Sequence, residues 1–333
     1  KLTCRSTRVE RSTFEELVDQ WPLIIRRCAE PTFSDQYAWQ TAWWSEFGLK
    51  SELNLLTVRA ESGDVEMIAP LMIDGTELSF LGSTDLVDYH DFLARDHFGS
   101  DLIGNIVKTI DEIKNVESIV LQSIPGNSTS IDQFRIAAER SGWIVNIQHE
   151  DVAPRIILPN SWDEYVSGLR KKDRHELRRK LRRLHGAGDF RQVEFTDAED
   201  VMAGMNDFML LHRMSTAGKA DFMTTKRERF FRRVAVALAH ENSTQLSFLE
   251  LNEERVATSL SFVCRDVRYL YNSGYNPAHS NLSVGLLNHA LSIRSSIEQG
   301  HRVFDFMRGA EAYKYHLGGV DRELYAVTAT RTK

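Results

Sequence analysis

The 333-residue sequence predicts an α/β (α+β) protein of two like domains in tandem, each a mixed, mostly antiparallel sheet flanked by helices. Three observations predict it. The length exceeds one core and suits about two domains at roughly 150 residues each. The hydrophobic share of 42% supplies ample core. The order of patterns also repeats: three strand-like runs, a loop, an apolar-faced helix and a further strand occur over residues 53–124 and again over 245–307. The likeness lies in pattern and not in residue identity. It sets domains at 1–152 and 153–333.

In the first domain, Trp39, Ala42, Trp43 and Phe47 form a helical stripe within 38–47. Residues 53–59, 66–73 and 77–81 read as three strands with short turns, a meander. A looser stretch, 82–96, follows. Residues 101–114 read as a helix with Ile103, Ile106, Val107 and Ile110 on one side, then 117–124 as a strand, 131–141 as a helix ended by Gly142, and 143–148 as a strand.

The second domain opens with a strand at 153–158. Ser161 and Glu164 have capping-box spacing, opening one long helix over 162–185 that ends in Gly186-Ala187-Gly188. Helices at 200–213 and 226–240 enclose a polar loop, 215–225. The second meander is 245–251, 255–264 and 268–274. A loop at 275–281 leads to a helix at 284–299, with Leu286, Ala290, Ile293 and Ile297 on one face, and to strands at 302–307 and 323–330.

Composition narrows the function classes. A charged share of 26% and a net charge of -6 do not mark the whole chain as a nucleic-acid binder. Cys4, Cys28 and Cys264 are few, odd in number and widely spaced, which fits neither a disulfide framework nor a metal cluster. Residues 1–10 are polar and read as no signal peptide, and no apolar run approaches the ~18 residues of a membrane span. The expectation is a soluble cytoplasmic protein.

Four constellations are candidates for chemistry. The junction Ser280-Asn281-Leu282-Ser283-Val284-Gly285 puts small residues at a helix start, where unpaired N–H groups and partial positive charge favour a phosphate; the same pattern also describes an ordinary capped helix. The run from Asp305 to Gly319 gathers Asp305, Arg308, Glu311, Tyr313, Lys314 and His316 at a strand end. Asp305 lies among apolar neighbours and needs a partner, for which Arg308 and Lys314 are at hand. Such groups form a cleft rim able to supply a general base or a transition-state clamp, or else a solvated loop with one ion pair. Between Arg170 and Arg183 nine basic residues, Arg174 and Arg178 among them, surround the apolar stripe Leu177, Leu181 and Leu184. That face suits a phosphate-bearing substrate, RNA or anionic lipid, or is a solvated surface over apolar packing. Asp88-Tyr89-His90-Asp91 reads as a polar cleft-lining loop; nothing completes a metal site there, and no metal is expected. His212-Arg213 with 215–222 is a candidate lid. The sequence contains no Gly-x-Ser-x-Gly elbow, Walker loop or Gly-x-Gly-x-x-Gly loop.

Taken together, Leu270-Tyr271-Asn272-Ser273-Gly274-Tyr275, the 280–285 junction, and Gly300…Phe304-Asp305-Phe306…Arg308-Gly309…Glu311…Tyr313-Lys314…Leu317-Gly318 resemble the CelD/BcsL-type (cellulose-biosynthesis-like) acetyltransferases. These belong to the GNAT superfamily and are related to the FemAB peptidyltransferases. The resemblance extends to the basic run 171–184 and to Asp88-Tyr89…Asp91-Phe92-Leu93, so it covers most of the chain. Its most specific motif is Arg308-Gly309-x-Glu311-x-Tyr313-Lys314 followed by Gly318. It implies tandem GNAT-like domains, with an acyl-CoA such as acetyl-CoA as cosubstrate in one branch and aminoacyl-tRNA in the Fem branch. Ser280–Gly285 falls at the pyrophosphate loop, where Ser280 and Ser283 depart from the family's Gln/Arg and first Gly, and Gly285 matches it.

The resemblance further implies Lys314 and Tyr313 near the acyl carbonyl, Lys314 as a polarising or oxyanion-stabilising group, and Asp305 and Glu311 holding or deprotonating. Arg174, Arg178, Arg308, Tyr271, Asp88, Tyr89 and Asp91 are the expected substrate contacts. The expected activity is transfer of an acyl group from acyl-CoA to an amine or hydroxyl of a sugar or cell-envelope precursor. Two alternatives stand beside it: aminoacyl-tRNA-dependent transfer, and a catalytically degenerate GNAT fold that binds nucleic acid through 170–183.

Overall fold

The computed structural model describes residues 7–82, 85–95 and 101–331. Cys4 and part of the loose stretch 82–96 lie outside the described residues. The chain divides into two compact units: residues up to 151 together with those from 322 on, and residues 152–321.

In the first unit, β1 (Thr7–Ser12), the short helices α1 (Phe14–Leu17) and α2 (Trp21–Ile25), a 3-10 turn at Phe33–Asp35 and α3 (Tyr37–Phe47) precede a meander of β2 (Glu52–Ala60), β3 (Val65–Asp74) and β4 (Glu77–Phe80). The two-residue β5 (Leu93–Ala94) pairs with β3. Helix α4 (Asp101–Asp111) then crosses to β6 (Ser118–Pro125), which runs parallel to β4. Ile103, Ile106, Val107 and Ile110 recur at helical spacing and are all buried, so one face of α4 joins the core while its polar face stays wet. Helix α5 (Ser130–Arg140) and β7 (Trp143–Val152) follow.

The second unit begins with β8 (Arg155–Ile157), α6 (Trp162–Gly168) and α7 (Lys171–Ala187). After β9 (Phe190–Phe195) come α8 (Ala198–Ser215), α9 (Ala217–Phe222) and α10 (Thr225–Ala239). The second meander is β10 (Thr244–Leu251), β11 (Glu254–Cys264) and β12 (Val267–Tyr275); a 3-10 turn at Pro277–Leu282 leads into α11 (Val284–Glu298), β13 (Val303–Asp305) and α12 (Ala312–His316). The sheet order is β8-β13-β12-β11-β10-β9. β13 runs parallel to β12, as β6 does to β4, so the repeat read from sequence is a repeat of topology.

Three expectations are corrected. The helix expected over 162–185 is two helices: Leu169 and Arg170 are extended, at ψ 149° and 142°. Leu169 is drawn into the core, and the Arg174 guanidinium donates to the carbonyls of Ser167 (2.7 Å) and Leu169 (3.4 Å), closing the corner. The polar loop 215–225 contains α9, capped by the Thr216 hydroxyl accepting from the Lys219 N–H. Finally, β14 (Glu323–Arg331), assigned from sequence to the second domain, inserts between β6 and β7 of the first sheet. Its inward Leu324, Val327 and Ala329 are fully buried there, and no local pattern encodes which sheet a terminal strand joins.

Candidate active site

The second unit's site forms where two parallel strands part. β12 and β13 pair only over Val267–Tyr269 with Val303–Asp305, and β12 runs on to Tyr275 without that neighbour. The register of β12 against β11 also slips by one residue, with Leu260 opposite Asn272 and Ser261 opposite Leu270. The slip leaves Tyr271 unmatched, a bulge that twists the strand.

On the β13 side, the motif from Asp305 to Lys314 braces its own turn. Asp305 is buried, and its carboxylate accepts the Met307 N–H at 2.8 Å, which helps hold Met307 at φ 63°. The Lys314 ammonium donates to the carbonyls of Met307 (3.0 Å), Arg308 (2.6 Å) and Gly309 (2.9 Å) and lies 2.8 Å from a Glu311 carboxylate oxygen. A lysine 2% exposed is tolerable only when satisfied in this way. Its three N–H donors are already engaged, so Lys314 shapes the rim and presents no spare donor to a substrate carbonyl.

The β12 side carries groups that sequence reading left outside the site. Lys219 on α9 donates to the Ser273 carbonyl. His212 on α8 shares a hydrogen bond between Nε2 and Asn272 Oδ1 at 3.0 Å, and the same oxygen accepts the Ser273 N–H. Gly274 permits this approach: a Cβ there would lie 2.4 Å from the His212 backbone nitrogen. His289, from the middle of α11, stacks on the Tyr313 ring at 5.4 Å, and its Nδ1 is buried with no partner among the described residues.

Burial and neighbouring ammonium charge set the protonation of these groups. Burial, with Lys219 adding to it, pushes His212 down to about 4 despite the Asn272 bond. Burial, then Lys219 and Lys314, lowers His289 to about 3. Both imidazoles are therefore neutral at pH 7. Burial lowers Lys219 to about 8, against the pull of Glu311. The Tyr313 hydroxyl is raised well above its ordinary value, first by burial and then by Glu311, so it keeps its proton.

Beside this opening lies the 280–285 junction. The 3-10 turn ends at Ser283, which has left-handed φ 57° and stands at the N-cap of α11. Leu287 is the first residue to bond back, to the Ser283 carbonyl, so the N–H groups of Val284, Gly285 and Leu286 have no intrahelical acceptor. Basic side chains of α7 hold the loop: Lys180 donates to the Ser283 hydroxyl at 2.8 Å, and Arg183 to the Asn281 carbonyl. Gly285 faces the Tyr275 ring closely enough that a Cβ would sit at 3.2 Å.

The expected substrate contacts disperse. Arg174 is occupied at the α6–α7 corner, and Arg178 is exposed on α7. Tyr271 packs between Phe231 and Phe262, and Arg308 is half-buried with its carbonyl taken by Lys314. In the first unit, Tyr89 and Asp91 line a cavity of about 490 Å³, with Asp88 adjacent in sequence and half-buried. The Arg322 guanidinium sits 5.2 Å from the Tyr89 ring centre, and Asp91 accepts from the Ser128 hydroxyl. Burial raises Asp91, and raises Asp35 in the same wall to about 7. Among the described residues no group of three or more His, Cys, Asp or Glu could hold a metal ion, and no helix is long and apolar enough to cross a membrane.

Parallel strands that part beside a helix N-terminus in the second unit, with the same order of strands and a parallel pair in the first, define a tandem GNAT-type fold. Comparison agrees: residues 171–315 match the family model for an acetyltransferase (GNAT) domain. FemX is similar with a TM-score of 0.65 at 11% identity, over 96% of this chain and 96% of that one. The C-terminal domain of an Agrobacterium fabrum protein described as a lysylphosphatidylglycerol synthetase follows, with a TM-score of 0.61 at 12% identity over 95% and 92%. A tandem GNAT protein from the clavulanic acid biosynthesis pathway gives 0.51 at 11% identity over 98% and 100%. No curated protein matches the sequence. The chain thus has a GNAT/FemAB-related fold.

Proposed function

We propose that the second unit moves an acyl group from an acyl-CoA to an amine or hydroxyl of a sugar or cell-envelope precursor. The observation that carries this reading is the meeting of Lys219, Glu311, Tyr313 and His289 at the opening between β12 and β13, beside the free N–H groups of α11. In the reaction the acceptor nitrogen or oxygen attacks the thioester carbon and gives up its proton to neutral Lys219, a base poised near its working pH. The Tyr313 hydroxyl, held protonated, donates to the developing oxyanion or to the leaving thiolate as the C–S bond breaks. Asp305 and Lys314 keep the rim in shape, and Glu311 is held at the rim by Lys314. The backbone of Ser280, Asn281, Leu282, Ser283, Val284 and Gly285 holds the donor phosphates at the helix start. No step requires a metal.

A second reading has its own support. The basic face of α7 next to the donor loop, and the fold shared with FemX, favour an aminoacyl-tRNA donor. Thiol release from acetyl-CoA over a panel of amino-sugar and glycan-precursor acceptors separates the two. Acceptor-dependent release supports acyl-CoA. Transfer seen only from aminoacyl-tRNA replaces it with the second reading, and transfer from neither refutes both.

A further inference from the structure

We propose that the outer face of α7 in the second unit docks on the anionic headgroups of a bilayer surface. Lys171, His175, Arg178, Arg182 and His185 are exposed and stand three or four residues apart, so they form one line along the helix. At about 1.5 Å per residue the line is about 21 Å long. It carries three cations at neutral pH and no carboxylate, in a chain of net charge -6. Leu177 and Leu184 are buried on the other side of the helix. The next line round, Lys172, Glu176, Arg179 and Arg183, is separate and leads to the loop at the start of α11 through the bond from Arg183 to the Asn281 carbonyl.

Ordinary solvation does not account for the outer line. Arginines on other helices pair with carboxylates one turn away: Arg135 with Asp132 at 3.5 Å and Glu139 at 3.1 Å on α5, Arg232 with Glu228 at 2.7 Å on α10, and Arg294 with Glu298 at 2.8 Å on α11. On α7 itself Glu176 serves Arg179 at 2.6 Å and Lys180 at 3.3 Å. Lys171, Arg178 and Arg182 form no ion pair among the described residues. Arg178 and Arg182, four residues apart, repel each other, a cost that an anionic partner removes.

The shape selects the partner. One side of α7 is packed into the core, so the cationic line stands only part of a helix diameter above its unit. A helix that reads duplex nucleic acid enters a groove about 8.5 Å deep, which the half-sunk α7 cannot do. The line holds no Phe, Tyr or Trp on which single-stranded bases would stack. A plane of negative charge meets a straight line of cations without either requirement. The line also holds no exposed apolar side chain, so the contact stays at the level of the headgroups. The proposal does not rest on the acyl-transfer reading, and either can fail alone.

Co-sedimentation of the full chain with vesicles tests it, using phosphatidylcholine alone and phosphatidylcholine with about 30% phosphatidylglycerol. Each Lys or Arg at an anionic surface strengthens binding about fivefold. The mixed vesicles should therefore bind at least ~10-fold more tightly, and raising salt from about 0.05 M to about 0.5 M should remove most of that preference. Lys171→Gln/Arg178→Gln/Arg182→Gln should lose at least ~30-fold. A control with the same loss of charge in the first unit, Lys108→Gln/Lys114→Gln/Arg140→Gln, should lose less than ~5-fold. Circular dichroism of both variants checks that the helices remain folded.

Equal binding to the two kinds of vesicle, or equal loss in the control, overturns the proposal. A short RNA, single-stranded or duplex, is added as competitor. Vesicle binding that resists it supports the bilayer. An RNA that binds more tightly than the mixed vesicles, and loses that affinity in the α7 variant, overturns the bilayer in favour of nucleic acid.

Discussion

The fold packs Lys314 into the rim turn, and the base proposed above is Lys219, whereas Lys314 was expected at the acyl carbonyl and the base among Asp305 and Glu311. Lys314 is enclosed by three carbonyls and Glu311, so replacing it with Met strands buried acceptors that each cost about 1–3 kcal/mol. Chemical denaturation of Lys314→Met should show a loss of about 3 kcal/mol, with activity falling through the distorted turn. In the first unit, Asp35 offers a test of burial. Its carboxyl is raised to about 7 in the fold, so the native state holds a proton that the unfolded chain releases near pH 4. That contribution is fully present below pH 4 and is lost as pH rises through about 7. Asp35→Asn, which keeps an oxygen for the Thr32 hydroxyl and N–H, should flatten the fall in stability between pH 5 and pH 8 when both proteins are unfolded in urea. The rim motif was legible because ionisable residues and glycines cluster in one short run. Lys219, His212 and His289 were not, since each comes from a different helix and only the fold brings them to Asn272, Ser273 and Tyr313. The one local signal was the candidate lid at 212–222, which contains two of the three.

At the scale of elements, hydrophobic spacing decided most helices and strands. Leu177, Leu181 and Leu184 turn one stripe of α7 inward although nine basic residues crowd its sequence and the break before it. Leu177→Ala should cost about 2–5 kcal/mol by leaving a cavity beside α11, while Arg178→Ala should stay within about 0.5 kcal/mol. Thermal unfolding of the pair distinguishes packing from charge as the reason α7 stays in place. The break at Leu169–Arg170 escaped sequence reading because Ser167-Gly168 is its one local signal and the strong helix formers after it mask a corner that is set by burial of Leu169 and by Arg174 bonding back. The parallel pairs β4–β6 and β12–β13 were legible as an order of patterns, whereas the slip at Tyr271 leaves no trace in alternation.

Across the whole molecule, the first sheet is completed by the last strand of the chain. β14 lies between β6 and the edge strand β7, so without it β7 has no partner in the sheet and the apolar faces that β14 covers open to water. A fragment of residues 152–321 should unfold cooperatively by itself, and one of residues 1–151 should not until a peptide of residues 322–333 is added; circular dichroism under urea reads both. The two-unit plan was visible in the repeated pattern, but the ownership of β14 is a long-range choice beyond the reach of any sequence window. The functional claim concentrates on the opening between β12 and β13. The sharpest measurement is kcat/KM for acyl transfer from acetyl-CoA across about pH 6 to 10, for the wild type and for Lys219→Met. With Lys219 as the base, the wild-type rate climbs through a pKa near 8 to a plateau, and the variant is at least ~100-fold slower and loses that limb. A variant with the wild-type rate and the wild-type pH profile would place the chemistry elsewhere.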